Sequence, residues 1–297
     1  MRRKTKGIVL GMTGACSYGT NPLFALPLYA LGLCANSVLF YRYSLAVLLY
    51  GLWVAVVKHH SLKISWKQAA YLLPMGLIFS ISSLTLFMSY SYIDAGIAST
   101  ILFIYPILVA VIMAVCFGER LSRRTLFSIF LTTIGIAMFY KGKSGETINL
   151  FGVALVLISA LSYAVYMVAI KKLSAIRRIN YAVLTFYVML FGLLVYLFNL
   201  RFGLDLQIIP APLGWICAVA LALLPTIVSL ETMTIAIKLI GPTLSAVLGA
   251  LEPVTAIFFG VVIFHEQLTL RIAFGILLIL TAVLMIVLEK KKSKNKI

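Results

Sequence analysis

Charge is what this chain has least of. Only 11% of its 297 residues are charged, and just eight of those are acidic. A soluble domain carries about 25% charged residues, so there is too little polar surface here to cover a water-soluble globule. No long polar stretch interrupts the chain, which excludes a sizeable soluble domain. Cysteine is scarce too. Cys16, Cys34, Cys116 and Cys217 form no close pair and all lie in apolar segments, so they read as small packing residues, not as disulfide or metal ligands. The histidines are His59, His60 and His265; no metal-ligand cluster, nucleophile elbow or phosphate loop can be assembled. An enzyme is therefore not expected, nor a cofactor. The net charge of +17 does not signal nucleic-acid binding, because the basic residues lie between apolar runs and mark a cytoplasmic face.

What is present is apolar. Hydrophobic residues make up 63% of the chain and the mean hydropathy is +1.09. A spanning helix needs about 20 apolar residues. That count predicts an all-α membrane protein with ten transmembrane helices, near 7–33, 37–57, 68–92, 96–117, 125–140, 150–170, 181–199, 213–237, 243–264 and 270–288. The basic N-terminus followed by an apolar run reads as an uncleaved first span, since the run continues past Cys16 to about Leu33.

Lysine and arginine orient these spans. With the N-terminus inside, the inner segments collect Arg2, Arg3, Lys4 and Lys6, then Lys58, Lys63 and Lys67, then Arg120, Arg123 and Arg124. They also hold Lys171, Lys172, Arg177, Arg178, Lys238 and the basic C-terminal tail. The outer segments hold only Lys141, Lys143, Arg201 and Arg271. Both termini are expected to be cytoplasmic.

One pattern occurs twice. Pro106, Phe117, Glu119, Leu121, Arg124 and Phe127 match Pro253, Phe264, Glu266, Leu268, Arg271 and Phe274 at an offset of 147. Gly7, Leu10, Ala15, Ser17 and Tyr18 match Gly152, Leu155, Ala160, Ser162 and Tyr163 at an offset of 145. Matches of proline, glutamate and arginine are informative because these residues are rare here. The chain therefore divides into two homologous halves, 1–145 and 146–297. Five spans per half is an odd number, so the second half enters the membrane in the opposite sense: an inverted-topology repeat, as in transporters whose site lies where the halves meet.

The stretch Ile104-Tyr105-Pro106 with Phe117-Gly118-Glu119-Arg120-Leu121 resembles the EamA-type members of the drug/metabolite transporter superfamily. So do Leu251-Glu252-Pro253-Val254 with Phe264-His265-Glu266-Gln267-Leu268, and Phe40-Tyr41-Arg42-Tyr43 at the start of the second span. The resemblance covers nearly the whole chain. It implies secondary transport of small metabolites, often export of amino acids or related compounds, in a bacterial inner membrane. His265 departs from the small residue that Gly118 supplies before the paired glutamate.

Charges inside a membrane are costly and invite explanation. Glu252 falls near the midplane beside Pro253, which lacks the N–H that would bond the Gly249 carbonyl. A carboxyl beside a kink and a bare carbonyl suits a cation, a proton or an amine; a protonated glutamate tied between helices is the other reading. Its repeat partner is Tyr105, beside Pro106. Glu231 suits proton coupling, or else reaches the inner interface or pairs with Lys238. Arg42 either snorkels to the outer interface between Tyr41 and Tyr43 as interfacial anchors, or binds a substrate carboxylate. Tyr18, Asn21 and Tyr163 are further candidate substrate contacts, and Pro22, Pro106, Pro225 and Pro253 candidate kinks. Glu119 with Arg124, and Glu266 with Arg271, are expected to fix helix ends structurally. The expected partners are a small-molecule substrate, protons and the lipid bilayer, with the chain acting as a monomer or homodimer. A receptor or scaffold would need larger loops, an intramembrane enzyme a polar cluster, and a channel a far faster flux.

Overall fold

The computed structural model describes residues 2–57, 61–93, 98, 101–119, 121–138, 149–263 and 269–287. All regular structure among these residues is helical. The first half holds α1 (Arg2–Tyr18), α2 (Asn21–Ala30), α3 (Ala35–Val56), α4 (Trp66–Ser89), α5 (Tyr105–Phe117) and α6 (Arg123–Ala137). The second holds α7 (Leu150–Lys172), the short α8 (Ser174–Arg177), α9 (Tyr181–Asn199), α10 (Pro212–Ala222), α11 (Ser229–Ile240), α12 (Pro242–Leu248), α13 (Leu251–Ile263) and α14 (Leu270–Val287). Between α10 and α11 the helix continues through one π-turn, Leu223–Val228.

Local chemistry sets several of these boundaries. Ser65 and Gln68 form a reciprocal capping box that opens α4, with bonds of 2.9 and 3.3 Å. Asn149 and Asn180 cap α7 and α9 through their side-chain oxygens. Proline stands in the first turn of α2, α5, α10 and α12, where its missing N–H costs nothing. Gly118, at φ 60°, ends α5 in the left-handed conformation that glycine adopts without a Cβ clash.

Among the described residues, six stretches are long and apolar enough to cross a bilayer: Ala35–Val56, Trp66–Ser89, Leu150–Lys172, Tyr181–Asn199, Pro212–Ile240 and Pro242–Ile263. Tyr105–Phe117 and Leu270–Met285 are shorter apolar helices. The expected first span is two helices, because the chain breaks at Gly19–Thr20 before Asn21 and Pro22. Outward faces are as apolar as inward ones. On α3, Leu48, Leu52 and Val56 are exposed, while Val38, Arg42, Ala46, Tyr50 and Val54 are fully buried. A helix with an apolar outer face and an arginine on its buried stripe is built for lipid, not water.

In lipid, helices associate through close packing and interhelical hydrogen bonds. Gly7, Gly11 and Gly14 lay one face of α1 against α11 and the end of α12. A Cβ there would come within 2.6 Å of Ile240 and 2.8 Å of Leu248 and Thr232 respectively. Across α4 and α7, Ser82 and Ser159 exchange hydrogen bonds: each hydroxyl donates to the other's main-chain carbonyl, at 2.9 and 2.7 Å. The polar serines of α4 thus serve helix packing here, each such bond contributing about 0.6 kcal/mol on average.

The pairings between helices have a reciprocal pattern. α1 packs on α11, and their repeat counterparts α7 and α4 pack on each other. α4 packs on α9, and counterpart α3 on α10 and the π-turn. α5 meets α7 as α13 meets α1, while α3 with α9 and α6 with α14 are pairs of counterparts. Exchanging the two halves therefore maps the main helix contacts onto themselves.

Candidate functional site

Arg42 lies on the buried stripe of α3 and is fully inaccessible to solvent. Its Nε donates to Thr226 Oγ1 at 2.6 Å, Nη1 to Asn21 Oδ1 at 3.0 Å and Nη2 to the Pro225 carbonyl at 3.0 Å. The guanidinium carbon also stands 5.7 Å from the ring centre of Tyr18, 5.8 Å from Phe87 and 5.9 Å from Tyr43, close enough for cation–π attraction. This corrects the snorkelling expectation. Arg42 points inward because its neighbours at helical spacing, Val38, Ala46 and Tyr50, bury the same face. Tyr43 is likewise no interfacial anchor. It is fully buried, with its hydroxyl 3.2 Å from Ser83 Oγ. Tyr41 does lie at a helix end, bonding the Gln207 carbonyl at 3.1 Å.

The acceptors for Arg42 exist because helices are broken around it. Pro225 has no N–H for the Leu221 carbonyl, so that carbonyl accepts the Thr226 hydroxyl instead, at 2.7 Å. Two further carbonyls of the π-turn accept from other helices. Leu224 O, already bonded by the Ser229 N–H across the turn, also takes the Ser17 hydroxyl at 2.6 Å, and Pro225 O takes Arg42. Single π-turns of this kind are frequent at functional sites. Asn21 reaches Arg42 from the first residue of α2, just past the Gly19–Thr20 break.

Glu252 opens α13, just after a second interruption at Gly249–Ala250. It is 9% exposed. The Gly249 carbonyl is not bare, as expected from Pro253, because the chain tightens there and the Glu252 N–H bonds it at 2.9 Å. Four tyrosines, Tyr18, Tyr90, Tyr105 and Tyr163, lie within electrostatic reach of the Glu252 carboxyl. Two of them, Tyr18 and Tyr90, are also within reach of Arg42. Tyr105 sits beyond the matching break before Pro106. Its hydroxyl donates to the Ala246 carbonyl at 3.2 Å and fills the space where a Gly249 side chain would stand. Its ring packs edge-on against Tyr163, with centroids 5.0 Å apart.

Helix interruptions thus precede all four prolines of the site or surround them: Pro22, Pro106, Pro225 and Pro253. A cavity beside Pro225 is lined by Tyr18 and Phe79 of the first half and by Tyr163, Tyr166, Pro225, Ser229 and Thr234 of the second. The buried hydroxyls of Tyr166 and Thr234 face each other in it without an aligned hydrogen bond. Phe79 and Tyr90 belong to this environment and carried no sequence signal. Thr226 had one, since it directly follows the proline whose lost bond it repairs.

The remaining candidates lie apart. Glu231 is half-buried on α11 and faces the Tyr50 hydroxyl, which also neighbours Tyr181 and Thr185. Lys238 donates to the Ile179 carbonyl at 2.5 Å, and Lys171 donates to the Lys238 carbonyl. Glu119 pairs with Lys172 of the second half, at 3.8 Å, while Arg124 is exposed. Gly118 turns the chain sharply at the end of α5 and carries Glu119 toward Lys172 of α7. Arg271 donates to the Ala137 carbonyl at 3.5 Å, at the C-terminal end of α6 where a cation is favoured. Glu266 lies outside the described residues.

A bundle with lipid-compatible outer faces, broken helices and a buried polar centre is a polytopic integral membrane protein. Its sequence matches the model of the EamA-like transporter family twice, over residues 5–141 and 150–288. The chain belongs to that family and is a membrane transporter. It is similar to a protein of Archaeoglobus fulgidus named an uncharacterized transporter, at 26% identity over 51% of this chain. The match spans about half of that relative, 52% of its length. It is also similar to the uncharacterized transporter YvbV of Bacillus subtilis, at 24% identity over 81% of this chain and 79% of YvbV. A crystal structure that is 17% identical superposes with a TM-score of 0.79, covering 95% of this chain and 98% of the other, which shows a shared fold.

Proposed function

We propose that this transporter moves a small polar metabolite, an amino acid or related compound, by alternating access, with export as its direction. Its working unit is two inverted five-helix repeats, 1–145 and 146–297, that make ten spans in a plasma (inner) membrane with both termini cytoplasmic. The reciprocal helix pairings support the repeat, and the lysine and arginine distribution supports the orientation.

One observation carries the substrate reading. Arg42 is a fully buried cation whose three bonds go to neutral oxygens of both halves. A guanidinium has more N–H groups than these bonds use, and it matches a carboxylate in two-point geometry. Glu252, on the far side of Tyr18, supplies the opposite charge for an amine or carries a proton. Tyr105, Tyr163 and Tyr18 shape the space between, and Asn21 holds the guanidinium. Glu231 is a second proton-carrying candidate. A monomer suffices for this cycle, because both halves of the site are in one chain; a homodimer is the alternative assembly.

The test is metabolite profiling inside and outside cells that express the protein. Variants Arg42→Ala and Glu252→Gln, matched for membrane abundance, and empty-vector cells are the controls. Compounds that accumulate outside only with the native protein are expected and name the substrate. Accumulation inside reverses the direction. A profile identical to empty-vector cells sinks the reading.

A further inference from the structure

Away from the central site, one residue ties the two halves together at the end of the bundle that the charge distribution puts outside. Gln207 lies beyond α9, past a turn in which Arg201 and Phe202 hold left-handed backbone at φ 46° and 58°. Its side-chain oxygen accepts from the Cys34 N–H at 2.5 Å, and its side-chain amide donates to the Gly32 carbonyl at 3.2 Å. Its main-chain N–H donates to Ser37 Oγ at 3.1 Å, and its carbonyl accepts from Tyr41 at 3.1 Å. Every hydrogen-bonding group of Gln207 therefore engages the corner between α2 and α3. Cys34 is the N-cap residue of α3 and its side chain makes no capping bond; its own N–H, an unpaired donor of the helix start, is taken up by Gln207 of the second half. Tyr41 also packs edge-on against Trp215, 5.5 Å between centroids.

We propose that Gln207 is the latch of the outer gate: the site opens outward only when these bonds release. The inference rests on the alternating-access reading above. Its chemistry suits a latch better than a fixed joint. Main-chain and neutral side-chain groups at an exposed corner re-bond to water on release, so opening costs little per bond. The Arg42 bonds are buried and have no water to fall back on. Gln207 also carries no charge, so the latch works at any salt concentration, unlike the exposed Glu119–Lys172 pair.

The test needs no substrate. Ser229 lines the central cavity, so Ser229→Cys reports access to it. In membrane vesicles of each orientation, the rate at which a membrane-impermeant maleimide labels that position is read by peptide mass, which separates it from the native cysteines. Gln207→Ala, Ser37→Ala and Tyr41→Phe each remove latch bonds. Gln207→Ala is expected to raise labelling from outside about thirtyfold, two net hydrogen bonds' worth, and to lower labelling from inside. The reciprocal fall marks a population shift. Unchanged rates overturn the latch, as does a rise outside with no fall inside, which is local loosening alone. If the position labels from one side only in every variant, native Gln207 included, alternating access itself fails and takes the latch with it.

Discussion

The Thr226 hydroxyl stands between Arg42 and a broken helix: it accepts from Arg42 Nε at 2.6 Å and donates to Leu221 O at 2.7 Å. One small side chain both repairs the gap left by Pro225 and aims the guanidinium. Thr226→Ser keeps both bonds and is expected to retain transport. Thr226→Val keeps the shape, loses both bonds and is expected to lower transport at least tenfold, since a hydrogen bond to a charged group contributes about 1.5–3 kcal/mol. Initial rates at matched membrane abundance decide it, and equal rates for the two variants remove Thr226 from the site.

Arg42→Lys preserves charge without the planar fork. A lysine ammonium is a point charge and cannot span Thr226, Asn21 and Pro225 at once. Near-native melting in detergent with a strong loss of transport is expected. Full transport by Arg42→Lys shows that only the charge matters.

Glycine packing yields a ranked series. A Cβ at Gly19 would lie 2.4 Å from the main-chain oxygen of Glu252, at Gly14 2.8 Å from Thr232 Oγ1 and 3.1 Å from Ser229 O, and at Gly11 2.8 Å from the movable tip of Leu248. Overpacking costs typically about 1–3 kcal/mol, most where the neighbour is backbone. Melting temperatures are expected to fall in the order Gly19→Ala, then Gly14→Ala, then Gly11→Ala, the last nearly native. Gly19→Ala also pushes directly on Glu252 and is expected to lose transport first.

Glu252→Gln removes the carboxyl and keeps its size. If Glu252 carries the coupled proton, substrate movement down its own gradient survives in Glu252→Gln while the response to an imposed pH gradient disappears. A full gradient response in the Glu231→Gln, Glu252→Gln double variant excludes both residues as carriers.

The Glu119–Lys172 pair is exposed, with side chains 41% and 27% accessible. Exposed pairs contribute about 0–1 kcal/mol, so Glu119→Gln is expected to melt within a few degrees of the native protein, as differential scanning fluorimetry in detergent reports.

Much of this arrangement is legible in the order of the amino acids. Long apolar runs mark the helices of Ala35–Val56, Trp66–Ser89, Leu150–Lys172 and Tyr181–Asn199, and the prolines mark where others break. Direction around a helix axis is harder to see. In a lipid-facing helix both faces are apolar, so periodicity does not tell whether Arg42 points in or out; only the helices packed on α3 decide that. The Glu119–Lys172 and Gln207–Cys34 contacts join residues far apart in sequence. Their partners are fixed by how the halves fold together, which no local pattern records.

The breaks beside Pro22, Pro106, Pro225 and Pro253 carry a thermodynamic consequence. An intact helix must surrender main-chain hydrogen bonds in hydrocarbon before it can flex, and that penalty would sit in every turnover. Here main-chain carbonyls at the break already rest on side-chain partners, Leu221 on Thr226 and Pro225 on Arg42. The desolvation barrier to bending was crossed once, during folding, and under the proposed alternating-access cycle it need not be crossed again.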